Sequence, residues 1–270
     1  MVYIDTENDE FQIIQSLKLN RAKRAKNHEV FIEGIDSIKQ AFKAGLDITR
    51  IITTYKKSSW ALEITGQYEK AGTRVIEMAE DLYCKLCDRS EPSEMLVTAK
   101  VSQKSLSGLK LPQKPFVLVL DRTSDTGNLG SIIRSADSFG ADAVVLIGHG
   151  ADIWDPKTIR ASMGSVFFNP PVQADSLDEL KEFINSVKAV SGMEVWGTDT
   201  TGAVSLADSA IKRPLMLILG NEAKGISLGL KEICDGIISI PIFGNVNSLN
   251  LASAASIFMW ELYRNSDGKS

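Results

Sequence analysis

Five short, predominantly apolar runs limit what the second half of this chain can fold into. They are Phe116–Leu120 (FVLVL), Ala143–Ile147 (AVVLI), Met193–Gly197 (MEVWG), Leu215–Leu219 (LMLIL) and Ile237–Ile240 (IISI). A strand that faces water on one side alternates apolar and polar residues, whereas a continuous run is apolar on both faces and needs cover on both. Helical patterns lie between most of the runs. Leu177, Leu180, Phe183, Ile184 and Val187 mark one face at helical spacing. The pattern predicts a parallel sheet covered by helices, an α/β domain.

The first half is patterned more weakly. From Phe31 to about Val101, short helical and strand-like segments alternate: Ile35–Phe42, Ile48–Thr53, Trp60–Tyr68, Arg74–Met78 and Met95–Val101. They predict a small α/β module of about 100 residues. The stretch Ser102–Pro115 is polar and contains Gly108, Pro112 and Pro115, the composition of a linker. We therefore divide the chain into a basic segment with a small α/β domain (residues 1–105), a linker around 102–115 and a larger domain (residues 116–270).

The apolar runs are far shorter than the roughly 18 residues needed to cross a bilayer. The start, MVYIDTENDEF, is acidic and lacks the basic-then-apolar order of a secretory signal, so the expectation is a cytoplasmic protein. A net charge of −4 argues against nonspecific coating of nucleic acid. One local exception stands out: Lys18, Arg21, Lys23, Arg24 and Lys26 fall within nine residues that contain no acid. That density suits phosphate contacts, and it equally suits a solvated helix face.

Several familiar chemistries are poorly supported. Cys84 and Cys87 form a C-x-x-C, but Cys234, His28 and His149 complete no regular zinc-ligand spacing, so no metal is expected. Gly148 and Gly150 begin a G-x-G after a strand, yet Ile153 occupies the third glycine position of a dinucleotide fingerprint. Gly220–Ser227 lacks the spacing of a P-loop, and neither of the two histidines lies near a serine or cysteine motif.

Three segments remain, each at the end of a strand. In Asp121–Ala141, Asn128 is placed to cap a helix whose buried stripe is Leu129, Ile132, Ile133 and Ala136. Arg134 then falls on the polar face, where pattern alone makes it a solvated charge. In Leu217–Ser227, a buried strand runs into Gly220, Asn221 and Glu222, and glycine permits close backbone approach to a ligand. In Ile238–Arg264, Ser248 and Asn250 can cap a helix that is apolar nearly all round, as a helix packed between layers or subunits must be.

In this order and spacing, the three segments resemble the signature motifs of the SpoU-type (TrmH-like) RNA 2'-O-ribose methyltransferases of the SPOUT superfamily. The likeness covers about Phe116–Arg264, including the connecting stretch Asp155–Val172. Less specifically, Phe31–Phe42 is similar to that family's small RNA-binding domain. Ala223 stands where many members have glycine.

The resemblance implies a C-terminal domain with a deep trefoil knot, S-adenosylmethionine as cofactor, a homodimer packed through the knot region, and RNA as substrate, ribosomal RNA favoured over transfer RNA. Carried over by position, Gly220, Ile240, Leu249 and Thr198 would hold the cofactor. Arg134, Asn128, Glu222, Ser248 and Asn250 would form the reactive centre. A guanidinium stays protonated, so the role expected for Arg134 is to bind phosphate and stabilise a developing alkoxide rather than to act as a base. The competing readings are a noncatalytic RNA-binding or ribosome-assembly factor that keeps the fold, and a knotted enzyme that methylates a base.

Overall fold

The computed structural model describes residues 1–88, 92–202 and 204–265. Its elements run β1 (Val2–Ile4), α1 (Asp9–Leu19), α2 (Arg21–Asn27), β2 (Glu29–Glu33), α3 (Ile35–Lys43), β3 (Ile48–Thr53), α4 (Ser59–Lys70), β4 (Arg74–Met78), α5 (Glu80–Leu86) and β5 (Met95–Lys100). Then follow β6 (Phe116–Asp121), α6 (Thr126–Ser138), β7 (Ala143–Ile147), α7 (Pro156–Ala161), β8 (Val172–Ala174), α8 (Leu177–Ser191) and β9 (Glu194–Thr198). The chain closes with β10 (Val204–Ser205), β11 (Leu215–Leu219), α9 (Leu228–Lys231), β12 (Gly236–Ser239) and α10 (Leu251–Asn265). It divides into two compact units, Met1–Ser102 with Trp154–Phe168, and Gln103–Ile153 with Asn169–Ser270.

In the first unit the described strands form one sheet in the order β1-β4-β3-β5-β2, with β5 antiparallel to both β3 and β2. Helix α1 packs through Phe11, Ile14 and Leu17, all fully buried at helical spacing, against Phe31, Ile52, Ile76 and Leu96 of the sheet. The pattern reading began this module at Phe31 and missed β1, α1 and the start of β2. The strand pattern of β2 is masked because it carries Glu29 and Glu33 into the interior. Glu33 is accommodated because Arg160 of α7 and the Asp88 amide both donate to it. That pair, with Arg24 against Asp155, explains why Trp154–Phe168 folds with the first unit although it interrupts the second in sequence.

In the second unit the sheet order is β10-β12-β9-β11-β6-β7-β8, with every described pair parallel. All residues of β6, β7 and β11 are buried, as continuous apolar runs require, whereas β9 and β12, whose runs carry Glu194 and Ser239, are buried only in part. The α/β class and the parallel sheet are as expected, with full burial on both faces confined to β6, β7 and β11. The stretch read as a linker is packed rather than free, with Leu106 1% exposed in the core and Leu109 and Leu111 against it. Helix α6 buries Leu129, Ile132, Ile133 and Ala136 and contacts α10, which buries Ala255, Phe258, Met259 and Leu262.

Candidate functional site

In a parallel sheet all strands point the same way, so the loops leaving their C-terminal ends gather along one edge, where α/β sheets bind ligands. Here the loops after β9, β11 and β12 line a cavity of about 660 Å³. Its walls include Thr198, Gly220, Glu222, Ile240, Ser248, Leu249 and Asn250. Seven of the nine residues expected at the cofactor and reactive positions thus converge on one cleft.

Asn128, the eighth, is tied to it by side-chain hydrogen bonds. Its Nδ2 donates to Glu222 Oε1 at 3.1 Å, and its Oδ1 accepts from Asn250 Nδ2 at 2.9 Å. The expectation that Asn128 caps α6 is corrected. Asp125 is the cap, its Oδ1 accepting the Asn128 amide at 2.7 Å. The helix starts earlier than its apolar stripe suggests, which frees the Asn128 side chain to face Glu222. Asn250 does cap α10, its Oδ1 accepting from the Ala252 and Ser253 amides. Its amide end thereby points at Asn128.

Arg134, the ninth, is exposed on α6 and is not among the residues lining the cleft. Six residues beyond Asn128, it is turned about 120° around the helix.

Glycine at 220 also has a reason other than the expected one. A Cβ there would lie 2.2 Å from Gly225 C and Ile226 N, so one close approach it allows is between two stretches of the same loop. Asn221 completes that turn. Its Oδ1 accepts from the Ala223 and Lys224 amides, and its backbone pairs with Gly225 in both directions. Glu222, presented at the tip, also accepts from Ser124 Oγ and Asn221 Nδ2 at 3.4 Å each. At the wall of the cleft, Asp199 accepts from Lys231 at 2.7 Å, and that hydrogen bond holds the Asp199 carboxyl below its ordinary range.

The pattern singled out neither Asp121, Arg122, Asp125 nor Asp199. Asp125 was visible in principle, since an Asp three residues before Asn128 has cap spacing. The others depend on loops distant in sequence.

The five basic residues proposed for phosphate lie in the first unit, at the α1–α2 junction, and they are not equivalent. Arg24 is 4% exposed and donates through Nη1 to the Leu17 and Lys18 carbonyls, while Lys18 pairs with Asp88 at 2.7 Å. Arg21, Lys23 and Lys26 are exposed. Among the described residues there is no cluster of three or more His, Cys, Asp or Glu placed to hold a metal ion.

Comparison with known proteins matches residues 115–260 to the SpoU rRNA Methylase family and residues 8–98 to the SpoU L30e-like domain. The chain is 33% identical to the 23S rRNA (uridine(2479)-2'-O)-methyltransferase of Streptomyces viridochromogenes, over 97% of this chain and 91% of that one. It is 28% identical to the 23S rRNA (guanosine(2553)-2'-O)-methyltransferase RlmP of Bacillus subtilis, over 90% and 91% respectively. Among solved structures, the SpoU methyltransferase AviRb from Streptomyces viridochromogenes in complex with the cofactor AdoMet superposes with a TM-score of 0.88 at 33% identity, covering 95% of this chain and 97% of that one.

Proposed function

The chain belongs to the SpoU rRNA methylase family, and from that premise we propose that it transfers a methyl group from S-adenosylmethionine to a ribose 2'-hydroxyl of ribosomal RNA. The observation that carries this reading is the convergence of three sequence-distant segments on one cleft, joined through Glu222, Asn128 and Asn250. Both relatives named above are 2'-O-methyltransferases of 23S rRNA, and they differ in the base they act beside.

The cleft suits S-adenosylmethionine in size and lining. Ile240, Ile242, Leu249 and Phe258 offer apolar cover, and Thr198, Asp199 and Glu222 offer acceptors for hydroxyl and amine groups. When bound, the cofactor supplies an electrophilic methyl carbon on a positively charged sulfur. The chain supplies orientation. Asn250, Asn128 and Glu222 form a hydrogen-bonded line that fixes which lone pairs and donors face the incoming ribose, and such positioning can lower a barrier by roughly 7 to 11 kcal/mol. Ser248 adds a hydroxyl on the same edge. Arg134 binds the phosphate flanking the target and stabilises the charge that develops as the 2'-hydroxyl loses its proton. Arg21, Lys23 and Lys26 hold RNA on the smaller unit, while Lys18 and Arg24 shape the junction that displays them.

The same reading includes a homodimer. On α10, Ile257, Trp260 and Tyr263 are 39%, 51% and 46% exposed, and Phe139 packs its ring against both aromatic ones. An exposed aromatic patch on a helix whose other face is buried supports a self-complementary interface. The reading also includes the trefoil knot that the family resemblance implies, and a cytoplasmic location beside the ribosomal substrate. No helix among the described residues is long and apolar enough to cross a membrane.

The test is incubation of the protein with methyl-labelled S-adenosylmethionine and ribosomal RNA, followed by nuclease digestion. Label in nuclease-resistant dinucleotides is expected. Label on a base would replace the reading with base methylation. RNA binding without any label would replace it with the noncatalytic factor.

A further inference from the structure

The last residue of β6, Asp121, and the residue after it, Arg122, are two that neither pattern nor resemblance had assigned a role. Asp121 is 2% exposed. Its carboxylate accepts from Arg122 Nε at 2.7 Å, from Arg122 Nη2 at 2.9 Å and from the Ser227 amide at 2.8 Å. Arg122 Nη2 also donates to the Gly225 carbonyl at 3.2 Å, and the Arg122 carbonyl accepts from Asn221 Nδ2 at 2.8 Å. The loop that presents Gly220 and Glu222 is therefore fastened to β6 at its beginning, through Asn221, and at its end, through Gly225 and Ser227.

Arg122 adopts φ 54°, a left-handed conformation that a non-glycine residue takes up only when its surroundings hold it there. The space its side chain needs comes from Gly148, and room for the Thr123 backbone beside it comes from Gly150, the pair that completes no dinucleotide motif. A Cβ on Gly148 would lie 2.7 Å from Arg122 Cγ, and one on Gly150 would lie 2.5 Å from the Thr123 carbonyl oxygen. Three residues after Arg122, Asp125 caps α6 and presents Asn128. One strained position thus lies between the loop of Gly220–Ser227 and the turn that carries Asn128.

We infer that Asp121 and Arg122 are positioning residues that latch the Gly220–Ser227 loop in its ligand-binding shape. The inference rests on the cofactor assignment made above. A loop already ordered loses less conformational freedom when ligand binds, and bidentate guanidinium–carboxylate geometry is well suited to that task. Lysine would keep the charge and lose the fork.

The experiment compares Asp121→Asn, Arg122→Ala, Arg122→Lys and Gly148→Ala with the unaltered chain in three measurements. These are hydrogen exchange at the Gly225 and Ser227 amides without cofactor, calorimetric binding of S-adenosylmethionine, and separate KM values for cofactor and RNA. In the folded Asn and Ala variants, both amides should exchange at least tenfold faster and cofactor Kd and KM should rise at least tenfold. The KM for RNA should stay within twofold, and Arg122→Lys should recover part of the loss. If Arg122→Ala fails to fold, Arg122→Gly suits the positive φ and removes the same side chain. Unchanged loop exchange and cofactor affinity in folded variants would overturn the inference, as would a parallel loss of RNA and cofactor affinity. Failure of the unaltered chain to bind S-adenosylmethionine would instead overturn the proposed function, because the exchange measurement stands without cofactor.

Discussion

Asn250 donates through Nδ2 to Asn128 Oδ1 at 2.9 Å, although 122 residues separate them in the chain. The two amides lie in series: Asn250 gives to Asn128, and Asn128 gives to Glu222 at 3.1 Å. This direction requires a neutral amide in the middle with one donor and one acceptor end.

Asn128→Asp is expected to break the series by setting a second carboxylate against Glu222. Two carboxylates in contact cannot both stay ionised easily, so one of them titrates at a raised pH. Methylation relative to the unaltered enzyme should be lowest in alkaline buffer and should recover as pH falls through that raised value. A pH–rate profile parallel to the unaltered one would remove Asn128 from the reactive centre.

Arg134→Lys separates a solvated surface charge from a phosphate clamp. Lysine keeps the charge and the helix propensity but not the planar two-pronged donor. Turnover should fall on the order of a hundredfold, the scale of losing an electrostatic donor in a preorganised site, with cofactor affinity and melting temperature unchanged. Near-normal turnover by the folded variant would return Arg134 to the solvent.

Gly220→Ala places a methyl 2.2 Å from Gly225 C and Ile226 N. Backbone cannot step aside as a flexible side chain can, so the loop must open, with a stability loss of about 1 to 3 kcal/mol. Thermal unfolding and calorimetry should show a lowered melting temperature together with weakened S-adenosylmethionine binding. Retention of both would mean that the loop is less rigid than its contacts imply.

Trp260→Asp introduces a charge into the exposed aromatic patch formed with Phe139 and Tyr263. Light scattering coupled to size exclusion should report a dimer for the unaltered chain and a monomer for the variant. A variant of unchanged mass would place the interface elsewhere.

The basic cluster should divide by burial. Lys23→Ala and Lys26→Ala together should flatten the dependence of RNA affinity on salt, by roughly 0.7 to 0.9 in log–log slope for each lost phosphate contact. Arg24→Ala should instead lower thermal stability, because it strips buried donors from the Leu17 and Lys18 carbonyls. Equal salt slopes for the double variant and the unaltered chain would leave Lys23 and Lys26 without a role in RNA binding.

What the sequence determined by itself was the part of the fold governed by local periodicity. Short apolar runs bounded by turn residues fit strands, and β6, β7, β9, β11 and β12 lie within a residue or so of where those runs placed them. The stripe of α6 was equally legible, as was the Asn250 cap, because a residue's own neighbours decide both. The tertiary structure decided everything that depended on loops meeting. Asn128 is a cap by local pattern, and it becomes a partner of Glu222 and Asn250 only because parallel strands deliver their loops to one edge of the sheet. The glycines at 148 and 220 were visible as flexible residues. What each makes room for, Arg122 in one case and Gly225 in the other, depends on close approach between stretches with no periodic relation in the chain. Asp121 looked like the first residue after a strand, and its role follows from a buried carboxylate having to find donors wherever folding brings them, here Arg122 beside it and the Ser227 amide 106 residues away.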